Sequence, residues 1–232
     1  DRQARYIPLG HEGLGGGHDL LAGPAPAQMD RREALDRLKP LFEDATIQKT
    51  GHDLKLDAIV LETHGIALRG MAFDSMLGSY VLDATSQGHS LEAASLGHLG
   101  YKALTEEDLC GRGAKSVPVA QLAPETLLTF ACERADLARQ LSNQLAPLLV
   151  NDGLDEVFRE LEMPLVPVLA DIELAGIRID GTALVAQSQH LESELARYTT
   201  RIFELAGQEF NVNSPKQLAD IHTSPLIQAA VY

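Results

Sequence analysis

Cationic side chains are scarce in this chain. It has 19 Lys and Arg against 33 Asp and Glu, a formal net charge of −14 over 232 residues. Phosphate-backbone binding draws on clustered Lys and Arg, so the deficit argues against tight, autonomous binding of nucleic acid. A local basic strip remains compatible with it. Cysteine is also rare. Cys110 and Cys132 share no metal-ligand spacing and imply no disulfide framework, which points to a reducing, cytoplasmic setting. No apolar run reaches the eighteen or so residues of a membrane span, and no membrane partner is expected. No signal peptide opens the chain. Residue 1 is Asp, so the chain is expected to begin inside a longer reading frame.

The hydrophobic fraction, 45%, is ordinary for a globular chain, and the length suits one large domain or one domain plus part of another. Residues 5–9, RYIPL, read as a short edge strand. The Gly- and Pro-rich stretch after it, HEGLGGGHDLLAGPAPAQ, lacks the Lys-Ser/Thr of a phosphate loop and reads as a surface loop. A helix capped by Asp30 follows, with Ala34, Leu35, Leu38, Leu41 and Phe42 on one face. Thr46–Gly51 reads as a strand, and Asp53–His64 as a helix burying Leu54, Ile59, Val60 and Leu61. Ile66–Met71 reads as a second strand, and Asp74–Leu82 and Leu91–Leu99 as helices. Alternating strands and helices argue for α/β. Pro124–Leu149 forms one long helical pattern, and the break at Asn151 and Gly153 sets an expected boundary between domains 1–150 and 151–232.

Beyond the break, LEMPLVPVLADIELAGIRID reads as a helix entered through prolines, stopped at Gly176. Asp180 caps the next helix. Along that helix Leu184, Ser188, Leu191, Leu195, Tyr198, Ile202 and Leu205 recur in alternating fours and threes, a coiled-coil-like stripe. In FNVNSPKQLADI, Ser214 is placed as N-cap and Pro215 in the first helical position.

Several of these segments resemble the bacterial family A DNA polymerases, the DNA polymerase I family. KTGHDLKLDAIVL and LRGMAFDSMLGSYVL resemble the central half of its 3′–5′ exonuclease domain. LEMPLVPVLADIELAGIRID and FELAGQEFNVNSPKQLADI resemble the entry to the polymerase domain and its thumb. HTSPLIQAAV is similar to a segment that normally lies far beyond the thumb, where the palm begins. The resemblance implies a ribonuclease-H-like α/β exonuclease domain, its first strands missing, followed by an α-helical thumb segment. It also implies a part in DNA replication and repair, with a primer–template duplex as partner of the complete enzyme, and a monomer.

The family's exonuclease is a two-metal phosphodiesterase, and hard cations such as Mg²⁺ require carboxylates. Asp57 matches the family's helix acid. The resemblance places an Asp-x-Glu pair on a strand upstream, outside this chain. It maps the family's late Tyr-x-x-x-Asp onto Phe130 to Arg134. Phe130 lacks the hydroxyl, and Arg134 reverses the charge. At about 4 Å and an effective dielectric near 20, each unit pair is worth roughly 4 kcal/mol, so the reversal opposes metal binding. Asp136 lies about 200° further around the helix and is a poor substitute; Glu133 is also off the face. Leu56 stands where the family usually has Tyr, and Val119 where an aromatic would stack on single-stranded DNA.

The expectation is a vestigial Asp57 and no Mg²⁺ bound by this fragment. Asp74 is expected to be a structural, hydrogen-bonding acid, and His52, His89 and His98 to be locally bonded. Asn213, Ser214 and Lys216, at a helix N-terminus, are the expected contacts to the DNA backbone. No palm or fingers motif is present, so the chain alone is not expected to polymerise. Two other readings stand beside this one: a stand-alone 3′–5′ exonuclease, and a non-catalytic DNA- or protein-interaction module from a truncated gene.

Overall fold

The structure, a computed structural model, describes residues 3–12, 27–86, 88–113 and 116–222. The glycine run near residue 15 and the stretch after His222 that resembles the palm lie outside the described residues. The chain divides into two compact units, residues 1–176 and 177–232.

The first unit opens on α1 (Arg31–Glu43), capped by the Asp30 side chain on the Glu33 amide. Then come β1 (Lys49–Gly51), α2 (Leu54–Glu62), β2 (Met71–Asp74) and α3 (Ser75–Leu82). The two strands pair in parallel, Thr50 opposite Phe73 and Gly51 opposite Asp74, with α2 as the crossover. The first strand is shorter than expected because the Thr46 amide and hydroxyl both bond Asp44, closing a turn. The second strand starts later than expected, after Gly70. There φ is +72°, and a Cβ would lie 2.6 Å from the Ile47 carbonyl oxygen.

Residues 5–9 form no strand. Their neighbours are held instead by Gln28, whose side-chain oxygen accepts from the Gly10 and His11 amides and whose side-chain NH₂ donates to the His11 carbonyl. The buried His11 ring donates from Nδ1 to the Leu122 carbonyl and accepts at Nε2 from the Tyr6 hydroxyl.

α4 (Leu91–Ala94) runs on into a wider π-turn, Ser95–Leu99. After α5 (Glu106–Cys110) comes the spine of the unit, α6 (Pro124–Asn151), with Pro124 in its first turn. Leu137, Leu141, Leu145 and Leu149 are all nearly or fully enclosed. They repeat every fourth residue and form one buried stripe against α3, β1 and the π-turn. Gly78 lets α3 approach: a Cβ there would meet Phe73 Cζ at 3.0 Å. Phe73 in turn packs against Phe158, centroids 4.7 Å apart and ring planes inclined by 40°.

The compact unit does not end at the break expected near residue 150. It continues through α7 (Met163–Ala175), because Met163, Val166 and Ala170 are buried and α7 packs on α2 and β2. Lys55 on α2 pairs with Glu173 on α7. The second unit holds α8 (Gly181–Ala206) and α9 (Pro215–His222). Asp180 caps α8 through the Thr182 and Ala183 amides. No residue of α8 is buried.

Asp74 joins three elements of the first unit. It is 1% exposed, and its carboxylate accepts from the amides of Asp53 (3.1 Å), Leu54 (2.7 Å) and Met76 (2.8 Å). An amide left unpaired in such a place costs about 1–3 kcal/mol. Asp74→Ala is therefore expected to destabilise the chain by about 3 kcal/mol or more in urea unfolding, and the exposed control Asp36→Ala by less than about 0.5 kcal/mol.

Candidate functional site: the Asp57 cleft and its neighbours

Asp57 stands in the first turn of α2, and the sequence before it fixes where that turn begins. Asp53 adopts a left-handed conformation, φ 64° and ψ 57°, and its side chain accepts from the Leu56 amide. Asp is among the few residues that tolerate this region. Gly51 is required for clearance, since a Cβ there would come 2.5 Å from Leu54 Cδ2 and 3.4 Å from Asp57 Oδ2. The Asp57 carboxylate thus lies over the end of β1.

It borders a cleft of about 460 Å³ whose walls include Phe42, Lys49, Thr50, Leu54, Val60 and Leu68. Of the four residues expected to be buried on this helix, only Leu54 is. Val60 is half exposed, because its side faces the open cleft.

The carboxyl of Asp57 is raised from 3.8 to about 6, first by burial and then by the negative charges of Asp53 and Asp74. One side of the residue is nonetheless open to solvent, where water and salt screen the two acids and keep the energetic effect small.

Phe130 and Arg134 lie one turn apart on α6. Arg134 does not reach for a cation site. Its Nη1 donates to Glu92 Oε1 of α4 at 2.5 Å, and its guanidinium lies 5.2 Å from the Phe130 ring centre. Burial pushes Glu92 up, but its own backbone amide, Arg134 and Ser90 outweigh that and hold it below the usual carboxylate range. Glu92 is the residue that sequence reasoning missed. It stands 42 positions from its partner, and no local spacing connects them.

Two further acids of α6 are also engaged. Glu133 accepts from the Leu104 amide at 3.3 Å and from the Tyr101 hydroxyl, and Asp136 accepts from Arg139 and Gln140. The histidines bond locally. His52 Nδ1 donates to the Ser75 hydroxyl, which donates onward to the Gly51 carbonyl. His89 Nδ1 and His98 Nε2 both meet the Ser79 hydroxyl, at 3.0 and 3.4 Å.

Among the described residues, no three His, Cys, Asp or Glu side chains gather as metal ligands. Around Asp57 the nearby charged groups are committed elsewhere: Asp74 to three backbone amides, Asp53 to the Leu56 amide, and Arg134 to Glu92. Leu56 is exposed, and Val119 starts a short 3₁₀ turn, Val119–Gln121. Asn213, Ser214 and Lys216 lie together at the start of α9. The Ser214 hydroxyl accepts from the Gln217 amide at 3.4 Å, and the Asn213 amide bonds Asn211. Lys216 is exposed.

A parallel strand pair with its helical crossover, backed by long helices, is an α/β arrangement with a helical continuation. The chain belongs to the family described as DNA polymerase I, ribonuclease H-like domain, whose model matches residues 25–141. DNA polymerase I of Pseudomonas aeruginosa is 40% identical over 222 residues, 94% of this chain and 23% of the relative. That of Rhizobium leguminosarum is 40% identical over 221 residues, 94% of this chain and 21% of the relative. The chain therefore spans about a fifth of the length of these curated relatives. A solved structure, the POL domain of Pol1 from M. smegmatis in complex with DNA primer-template and dNTP, shares the fold at a TM-score of 0.65. It is 20% identical, and the likeness covers 84% of this chain and 30% of that one. No helix among the described residues is long and apolar enough to cross a membrane.

The raised Asp57 gives a pH signature. Between about pH 4 and pH 6 the folded chain keeps a proton that the unfolded chain has lost, so this group's contribution to stability falls as pH rises through that window. Asp57→Asn is expected to melt above the wild type at pH 7 and level with it below about pH 4. A difference in Tm that ignores pH would contradict the assignment.

Proposed function

We propose that this chain is the exonuclease-like portion and thumb entry of a DNA polymerase I that acts in cytoplasmic DNA replication and repair. Its exonuclease unit serves as a scaffold rather than a nuclease. The carrying observation is the Arg134–Glu92 ion pair. The position matched to a metal-binding acid holds a cation already committed to a carboxylate on another helix. Phe130 beneath it offers a ring face and no hydroxyl to orient water. The exonuclease-like domain covers residues 1–150, and the start of the family's polymerase part residues 151–232, although the compact unit runs on to Gly176. Polymerisation itself belongs to the remainder of the longer protein.

Asn213, Ser214 and Lys216 are the proposed contacts to the backbone of the primer–template duplex. In support, the α9 N-terminus presents backbone amides and one exposed cation. In the complete polymerase, Lys216→Ala is expected to weaken duplex binding about equally for all sequences and to lower the salt slope by about one. Sequence-dependent loss would contradict this role.

The scaffold reading is tested by calorimetry with Mg²⁺ and Mn²⁺ and by hydrolysis of a labelled single-stranded oligonucleotide. The wild type and Asp57→Ala are expected to show neither binding nor cleavage. Metal-dependent cleavage that disappears in Asp57→Ala would overturn the proposal.

A further inference from the structure

Five polar side chains form a seam along one side of α3. Ser75 and Ser79 stand one turn apart on that helix, and both are buried. Ser75 meets His52, the residue after β1. Ser79 meets two more imidazoles, His89 from the loop before α4 and His98 from the π-turn after it. The polar closure of segment 89–98 on α3 thus converges on one hydroxyl, and the burial of Leu91 and Ala94 holds the same segment from its apolar side.

The seam is satisfied by neutral rings. The Ser75 hydroxyl gives its proton to the Gly51 carbonyl, so His52 donates from Nδ1 and keeps a lone pair on Nε2. That Nε2 is buried without a hydrogen-bond partner, and a second proton would place a cation there. Burial holds the ring below the usual imidazole value. Asp74, the His89 main chain and Asp53 favour the charged ring, and Arg134 of α6 opposes it. The Ser79 hydroxyl has one proton and two rings to serve. Neutral rings suit it, one donating and one accepting. Two imidazolium rings would both have to donate to the same oxygen, with like charges held close together.

The surroundings supply little compensation. The Asp74 carboxylate is already spent on three amides. Asp83, on the rim, feels the charge of His89, and the Tyr80 ring meets His89 edge-on. Glu92 is taken by Arg134. The Ser95 hydroxyl, fully buried in the π-turn, also lacks a partner. Unpaired buried polar groups weaken the element that carries them, and the elements here are short, four and five residues.

We propose that segment 89–98 is an acid-released latch. As pH falls below about 6, it leaves α3 as a unit and α4 carries Glu92 away from Arg134, while the buried stripe of α6 stays closed. The sign follows from His52: its folded-state value lies below its unfolded one, so its contribution to stability is present above the unfolded value and is lost as pH falls. Asp57 titrates near the same range with the opposite sign, because its folded-state value is raised. It therefore does not drive the release.

The test is hydrogen–deuterium exchange of the full chain from about pH 7.5 to about pH 5, each rate divided by the intrinsic rate at that pH. Amides of segment 89–98 are expected to lose protection about tenfold or more, and those of residues 141–149 to change less than about twofold. Imidazole ¹⁵N shifts of the wild type should show His52, His89 or His98 gaining a second proton over the interval in which the segment opens. His52→Asn, His89→Asn and His98→Gln together put neutral amides in place of the rings and should abolish the pH dependence; His52→Asn alone should reduce it. Protection that ignores pH would overturn the proposal. So would opening without protonation of any of the three rings, or pH dependence that survives in the triple variant. Equal loss in residues 141–149 would overturn it in favour of unfolding of the whole unit.

Discussion

One buried carboxylate organises the first unit. The N-terminus of every helix carries amides with no partner inside the helix, and here two helices begin beside the same strand end. Asp74 terminates β2 and supplies acceptors to the amides of Asp53 and Leu54 before and in α2, and of Met76 in α3. The two strands are short, three and four residues, and their ladder alone is a weak tether. The carboxylate converts them into a junction from which both helices leave in fixed directions. The position of Asp57, one turn into α2, follows from that junction, and so does the negative field in which it titrates.

Much of this was legible in local pattern. The caps Asp30, Asp180 and Ser214 were visible because capping depends on a residue and its next three neighbours. The long helix α6 and the exposed stripe of α8 were visible because periodicity over more than twenty residues is hard to mistake. The first strand and the extent of the second were misread for a physical reason. RYIPL has the composition of a strand, but a strand exists only where another edge lies beside it, and the Gln28 side chain takes up the neighbouring backbone instead. The burial of Val60 was misjudged because periodicity marks an apolar face without saying what stands opposite. The boundary near residue 150 followed a true break in helix, while the packing of α7 on α2 carries the compact unit past it.

The candidate site was legible in part. Asp57, Phe130 and Arg134 stood out by resemblance, and the charge reversal at Arg134 followed from side-chain chemistry. What Arg134 does instead was not readable. Its partnership with Glu92 joins two helices far apart in sequence, and only the fold brings them within bonding distance. Likewise the two acids that raise Asp57 come from different elements, the N-cap of α2 and the end of β2.

α6 carries the Arg134–Glu92 ion pair in its first half and the fully enclosed leucines in its second. Phe130 and Arg134 occupy its early turns, while the enclosed leucines culminate at Leu141, Leu145 and Leu149. Arg134 and Leu145 lie eleven residues apart, about 16 Å along the axis, beyond the range at which substitutions normally couple. Substitutions at Phe130 and Arg134 therefore act little on the far end of the stripe, while Leu127 and Leu137 beside them are themselves buried. The far half of the helix can thus keep its place in the core while side chains of the near half change.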